Sequence, residues 1–353
     1  PNARVDVAGL HATTANISNE NFLSGNYHFI KGPDNSKITN LGRIKVADNG
    51  IASLVAPGVE NSGVIEANLG KVALASTPAN STYVLDFYGD QLLQFALPLE
   101  AGSNIENTIK QSGQITANGG TVFLSANTAK GVVDQVINMS GVIEANTIVK
   151  KGGEIILSGG NGGEVSVKGK ISASGKKAGE QGGTVKITGE KVGLFDQAKI
   201  DVSGQAGGGT ALIGGDYQGK GTLPISDFVY MQNSAQILAD AEVAGNGGQV
   251  VLFSDKATRV YGGISVRGGI ESGNGGLIET SSHRYLDILG INTDFSARAI
   301  GGQAGSILLD PYNITIQAAG TTTAPPGDAA NPWESAEVDS ILTIADLETL
   351  LTS

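Results

Sequence analysis

The pentapeptide GVIEA occurs twice in the chain, at residues 63–67 and 141–145, and close variants stand at 113–117 (GQITA) and 169–173 (GKISA). Looser copies begin at Gly42 and Gly263. Apolar and variable positions alternate in each copy, which is typical of a strand with one buried face. Most copies are followed by a second unit, a glycine or glycine pair and then spaced aliphatic residues, as in 119–124 (GGTVFL). The sequence therefore predicts short strands joined at glycine corners.

The spacing of these units predicts how the strands are arranged. The copies that begin at residues 42, 63, 113, 141 and 169 are 21, 50, 28 and 28 residues apart. A strand this short cannot bury its apolar face alone, but stacked coils form a continuous core. An antiparallel sandwich also has short strands, yet it does not explain one motif recurring so literally. We predict an all-β right-handed parallel β-helix (β-solenoid) with surface hairpins and insertions, and positive φ at the glycine doublets.

Composition excludes some functions. The chain has 353 residues with 52 glycines, no cysteine and a net charge of −11. Duplex nucleic acid and anionic membrane surfaces are poor partners for such a chain. No apolar run approaches the roughly 18 residues of a membrane span, so we expect no membrane insertion. The lack of thiols suits a protein exported unfolded, although many cytosolic proteins also lack cysteine.

Four regions can be distinguished along the chain. Residues 1–105 are less regular and hold several aromatic rings, while 106–310 form a repetitive shaft with a surface insertion at 214–227. Residues 311–335 are rich in Pro, Thr and Gly and predict an extended linker. In 336–353 apolar residues follow helical spacing, which predicts a short helix and the start of a truncated following module.

The N-terminal stretch resembles a known family. Residues 2–10 (NARVDVAGL) and 17–22 (ISNENF) resemble the secretion domain of filamentous haemagglutinin and the Haemophilus high-molecular-weight adhesins. Residues 59–67 (VENSGVIEA), 70–75 (GKVALA) and 86–90 (DFYGD) continue the resemblance. Residues 276–281 (GLIETS) and 306–316 (SILLDPYNITI) are similar to the shaft of these adhesins.

The resemblance implies a two-partner-secretion exoprotein, delivered unfolded to an outer-membrane TpsB-type β-barrel transporter whose periplasmic domains recognise the secretion domain. It implies a secreted or bacterial cell-surface location and a stalk that attaches to a host-cell receptor or extracellular matrix. The family's Asn-Pro-Asn-Gly signature is expected just upstream of Pro1, so we expect the chain to begin inside the C-terminal part of the secretion domain, which ends near residue 105. The transporter-recognition residues that the resemblance suggests are Asn2, Arg4, Asp6, Gly9 and Asn19.

The resemblance leaves the biological role open between several outcomes. Members of the family serve adhesion, haem or iron acquisition, haemolysis or toxin delivery, and similarity to the high-molecular-weight adhesins favours adhesion. Some of those adhesins have sugars on asparagine sequons. Four such sequons make glycosylation possible here, at Asn16, Asn80, Asn138 and Asn313.

Two glycine-rich stretches only partly match ligand-binding motifs. Residues 214–221 (GGDYQGKG) contain the spacing of a phosphate-binding loop, but Gly221 follows Lys220 where Ser or Thr is needed. Residues 159–167 (GGNGGEVSV) resemble a calcium-binding nonapeptide, but Glu164 replaces the required Asp and no tandem copy follows. Both stretches predict structural turns.

An enzyme is the main alternative, because polysaccharide-degrading enzymes also use β-helices. Two carboxylates on adjacent coils could act as an acid and base pair. The aspartates considered for this role are Asp196, Asp201, Asp287 and Asp294. No hydrolase elbow or zinc-binding helix motif occurs, and the three histidines, His11, His28 and His283, are dispersed. We therefore expect no catalytic residue, no metal and no cofactor.

Overall fold

The structure is a computed structural model that describes residues 3–30, 36–76, 82–85, 93–96, 108–126, 135–148, 151–160, 162–288, 291–296, 298–318, 332–333 and 340–352. Short parallel strands predominate, and they wind into a right-handed parallel β-helix, as the sequence predicts. Successive strands lie on a first, a second and a third face of the rod, and the next strand returns to the first face.

The strands of the first face are Arg4–Val7, Arg43–Val46, Val64–Glu66, Gln114–Thr116, Val142–Glu144, Lys170–Ser172, Lys199–Asp201, Gln236–Leu238, Gly263–Ser265 and Asn292–Asp294. Those of the second face are Leu10–Thr13, Ile51–Ala56, Lys71–Ser76, Thr121–Ala126, Glu154–Ser158, Thr184–Thr188, Thr210–Ile213, Leu277–Ser282 and Ser306–Asp310. Those of the third face are Lys37–Asn40, Gly58–Asn61, Thr108–Gln111, Gln135–Met139, Glu164–Val167, Lys191–Leu194, Ser226–Met231 and Tyr285–Asp287. The long strand Gln249–Val260 turns the corner and belongs to both the second and the third face.

The repeated isoleucines of the first face form one column inside the rod. Parallel pairing places each of them directly beside the isoleucine of the next coil, through Ile44, Ile65, Ile115, Ile143, Ile171, Ile200, Ile237 and Ile264. Ile115 is 0% exposed, whereas Thr116 beside it reaches the surface. Burying one such side chain contributes about 1.5–3 kcal/mol. The predicted alternation is confirmed.

Close approach between coils, rather than turn geometry, explains most of the repeated glycines. A Cβ atom on Gly63 would lie 2.1 Å from the carbonyl oxygen of Gly42 in the preceding coil. A Cβ on Gly183 would lie 2.2 Å from the Gly153 oxygen. The prediction of positive φ at the doublets holds at Gly119 but is wrong at Gly183. Only glycine lets the backbones stack this closely at the corners.

An antiparallel sheet lies against the outer side of the second face near its N-terminal end. Its strands are His28–Phe29, Thr82–Leu85 and Leu93–Ala96. Phe29 and Tyr83 pack on Val55 and Ala73, which point outward from the rod. The sheet confirms the surface hairpins that the sequence predicts.

The surface insertion covers the second face further along the rod. It spans 214–225 rather than the predicted 214–227, because strand Ser226–Met231 already begins at Ser226. It contains a short 3-10 helix, Tyr217–Gly219. Leu223 packs on an outward cluster that contains Val251 and Phe253. The backbone N–H of Gln218 donates to the buried carboxylate of Glu279 at 2.9 Å, and burial raises the pKa of that carboxylate.

The C-terminal residues pack on the last coils. Strand Ile314–Gln317 pairs in parallel with Ser340–Thr343, and helix Ile344–Thr352 follows. The predicted helix therefore begins later than its apolar spacing indicates, because Ile341 and Leu342 lie in a strand. Leu342 and Leu350 are buried in the main core. Trp333 packs against outward-facing aromatic rings of the third face.

Candidate functional site

The candidate site is the N-terminal edge of the rod, which we define by strand Arg4–Val7 and the turn that follows it. All four residues of this strand are exposed. The strand pairs in parallel with Arg43–Val46 on one side, and within the described ranges no strand pairs with its other side. The inward-pointing Val5 and Val7 are 36% and 39% exposed, because no coil covers them within the described residues.

The polar residues of this edge carry opposite charges. The guanidinium Nη2 of Arg4 lies 3.3 Å from Oδ2 of Asp6, and both side chains are more than half exposed. Arg43 in the next coil is paired with Glu66, and this hydrogen bond raises the pKa of Arg43. The exposed Arg4–Asp6 pair contributes little to stability, since exposed pairs contribute about 0–1 kcal/mol.

The other residues that the resemblance suggests for transporter recognition lie in different surroundings. Gly9 is exposed between the first two strands, and its position has room for a Cβ, which would lie 3.5 Å from the Ile51 oxygen. Asn19 begins the exposed helix Asn19–Leu23, which Ser18 caps by accepting from the Asn21 N–H. The structure thus brings Arg4, Asp6 and Gly9 together in the first coil and places Asn19 on the connection to the third face, while Asn2 lies outside the described residues.

A half-buried histidine, His11, lies beside this edge, under the antiparallel sheet. Because the Tyr83 hydroxyl donates to Thr13 Oγ1 at 2.8 Å, the His11 Nε2–H donates to Tyr83, at 3.1 Å. Nδ1 of His11 is buried and has no hydrogen-bond partner among the described residues. Desolvation by burial lowers the pKa of His11 from its ordinary value of 6.5 to about 4. Sequence reasoning missed this contact, because the two residues are 72 positions apart.

The three described sequon asparagines differ in accessibility. Asn16 is exposed, but its Oδ1 accepts from the Ile17 N–H. The hydroxyl of Ser18, the third residue of this sequon, caps helix Asn19–Leu23. Asn138 is half-buried on the outer side of the third face, and Asn313 is exposed. Asn80 lies outside the described residues, as do residues 86–90, which contributed to the family resemblance. Glycosylation stays a prediction.

The structure does not bring the candidate catalytic carboxylates into a common site. Each has its own neighbour: Asp196 is paired with Lys168, Asp201 with the Ser203 N–H, Asp287 with the Tyr261 hydroxyl, and Asp294 with Ser296. Within the described ranges no group of three His, Cys, Asp or Glu residues could hold a metal ion. No helix in the same ranges has the length and apolar character that crossing a membrane requires.

The class of protein that the arrangement resembles is the β-helical secretion domain. In particular, the chain is similar to the HMW1 secretion domain from Haemophilus influenzae, with 28% identity over 88% of this chain and 76% of that chain and a TM-score of 0.70. This similarity confirms the family resemblance seen in the sequence. No family model matches the chain. No curated protein sequence matches it either.

Proposed function

We propose that the chain belongs to a secreted two-partner-secretion exoprotein. In this proposal a TpsB-type outer-membrane transporter recognises its N-terminal edge, and its β-helical stalk mediates attachment at the bacterial surface. The observation that supports the proposal most is the likeness to the HMW1 secretion domain, which extends over 88% of the chain. The paired coils add support, because a stalk requires stiffness along its axis and every coil is hydrogen-bonded to the next.

The N-terminal edge has features that a partner can recognise. Within the described residues no strand pairs with the outer side of Arg4–Val7. A strand from a second chain can pair with such an edge. Arg4 and Asp6 on this strand add a fixed order of positive and negative charge. Recognition of the edge therefore combines main-chain pairing with a charge pattern.

Binding to the periplasmic domains of the partner transporter tests the recognition step. Those domains, immobilised, are exposed to the chain and to the double variant Arg4→Ala/Asp6→Ala. Lys170→Ala is the matched control, because Lys170 is exposed on the same face several coils away. We expect about tenfold weaker binding for the double variant and no change for the control. Equal binding by all three proteins would reject this edge as the recognition site.

Attachment is tested separately with beads coated with the chain and applied to cultured epithelial cells. We expect more beads to adhere than when they are coated with an unrelated acidic β-helix of similar length. Adherence equal to that control would reject an attachment role for this part of the stalk while leaving the secretion step intact.

A further inference from the structure

A notch on the first face lies near its C-terminal end, away from strand Arg4–Val7. It has a volume of about 210 Å³ and is lined by Gln236, Leu238, Gly263, Ile264, Ser265, Arg267, Asn292 and Asp294. All but Arg267, which follows the middle strand, belong to three adjacent strands. These strands pair in register, so that Gly263 lies between Gln236 and Asn292. The notch is smaller than the roughly 300–1,000 Å³ of sites for drug-sized ligands. It therefore suits one ring rather than an extended ligand.

The notch exists because a glycine replaces a side chain. The same outward position in earlier coils holds Val64, Val142 and Lys170, among others. Most repeated glycines are required because a Cβ would collide with backbone, but a Cβ on Gly263 would meet only Gln236 Cγ, at 3.9 Å. Gly263 also lacks the positive φ that favours glycine. Packing therefore does not require this glycine, and its effect is to leave a gap in the column.

The polar groups around the gap are held in place. Asp240, which is 4% exposed, accepts hydrogen bonds from the Ser265 hydroxyl at 2.6 Å and from Arg267 Nη2 at 2.7 Å. The guanidinium Nε of Arg267 also lies 3.6 Å from Asp294 Oδ2. Because these side chains are already ordered, a ligand would bind without the usual cost of immobilising them.

The chemistry of the lining selects a class of ligand. The amides of Gln236 and Asn292 each offer donors and an acceptor, and Asp294 offers acceptors. Leu238 and the Gly263 Cα provide a small apolar surface beside them. A sugar ring has this combination of hydroxyl edge and C–H face. Two carboxylates surround a single guanidinium, so the site disfavours an anionic ligand.

We propose that this notch binds a neutral hexopyranose, either free or as one unit of a glycan. The site lies outside the edge proposed for transporter recognition. It extends the proposed attachment role, because it names a chemical class that the stalk can contact. Sugar binding and transporter binding are measured separately, so the two proposals can fail independently.

Saturation-transfer NMR with the full chain tests the notch, using methyl glucoside, methyl galactoside and methyl mannoside as probes and glucuronate as the anionic comparison. We expect saturable binding of at least one neutral hexoside and weaker binding of glucuronate. Gly263→Val fills the gap, and valine is already present at this position in two other coils, so the variant should fold. It should weaken binding about tenfold.

Two further variants make the test specific. Asn292→Ala should weaken binding without changing the melting temperature, whereas Gln114→Ala, in the same column several coils away, should leave binding unchanged. Absence of saturable binding by all three hexosides would overturn the proposal. Equal binding by the original chain and a folded Gly263→Val protein would also overturn it.

Discussion

The side-chain amide of Asn61 donates to Oε1 of Gln111 at 2.8 Å inside the rod, although the two residues are 50 positions apart. Asn40 donates in turn to Asn61 Oδ1, also at 2.8 Å. Asn61 and Gln111 are both 0% exposed. The three side chains form an amide ladder at a corner of the first coils. Buried polar groups require hydrogen-bond partners, and each amide of the ladder supplies a partner to the next.

Removing the middle of the amide ladder should be costly. Asn61→Ala removes the acceptor for the Asn40 amide and the donor to the Gln111 carbonyl oxygen. We expect this loss to lower the free energy of unfolding by about 2–4 kcal/mol. Urea unfolding followed by circular dichroism measures the effect. Ser62→Ala is the control at the exposed neighbouring position, and a similar loss in both variants would contradict the role of the ladder.

The alternation of the first face predicts a strong asymmetry between adjacent residues. Ile115→Asp would bury a carboxylate without a partner and is expected to cost more than about 4 kcal/mol. Thr116→Lys changes a side chain on the outer surface and should stay within about 0.5 kcal/mol. Thermal melts of the two variants measure the difference. Equal effects would contradict the assigned inward and outward directions.

Acid should loosen the antiparallel sheet from the rod through His11. The pKa of His11 is lowered from 6.5 to about 4 in the folded protein, so folding favours the neutral ring. This contribution is fully present above pH 6.5 and is lost as the pH falls towards 4. The protection factors for hydrogen exchange of residues 82–85, which correct for the intrinsic pH dependence of exchange, should therefore fall in that interval. His11→Phe should remove this dependence, and His283→Gln, at an exposed histidine, should leave it in place.

Trp333 provides a direct optical test of the C-terminal docking. It is the only tryptophan of the chain, and its ring lies 6.5 Å from Phe228 and 6.4 Å from Tyr230, between centroids. Buried Arg259 holds the preceding residue by donating to the Pro332 carbonyl at 2.9 Å. Phe228→Ala should shift the fluorescence emission of Trp333 to longer wavelength, because the ring becomes more hydrated. Phe22→Ala, at a 60% exposed site, should leave the spectrum unchanged.

Much of the rod could be predicted from the sequence, because its signal is local. Alternation around Ile65 or Ile143 is readable within five residues, and the recurrence of the motif indicates parallel stacking. The sequence predicts a positive φ at Gly183, whereas the structure shows that close approach to the Gly153 backbone requires this glycine. Both conditions select glycine, so the sequence alone does not distinguish them. Only the paired coils reveal which reason applies.

The candidate sites depend on alignment between coils, which a single sequence does not contain. His11 and Tyr83 are 72 positions apart, so their contact is not visible in the sequence. The gap at Gly263 is recognised only once Gln236 and Asn292 are known to flank this residue. The prediction that Arg4 and Asp6 take part in transporter recognition comes from family resemblance alone, and the structure adds that they occupy an exposed edge.

Each coil of the first face pairs only with the coil before it and the coil after it. Ile143 thus meets Ile115 and Ile171, each 28 residues away, and lengthening the rod would not increase that separation. The loop-closure entropy per added coil is therefore independent of total length. Growth can proceed in one direction by repetition of a single local step, with the last ordered coil serving as the template for the next.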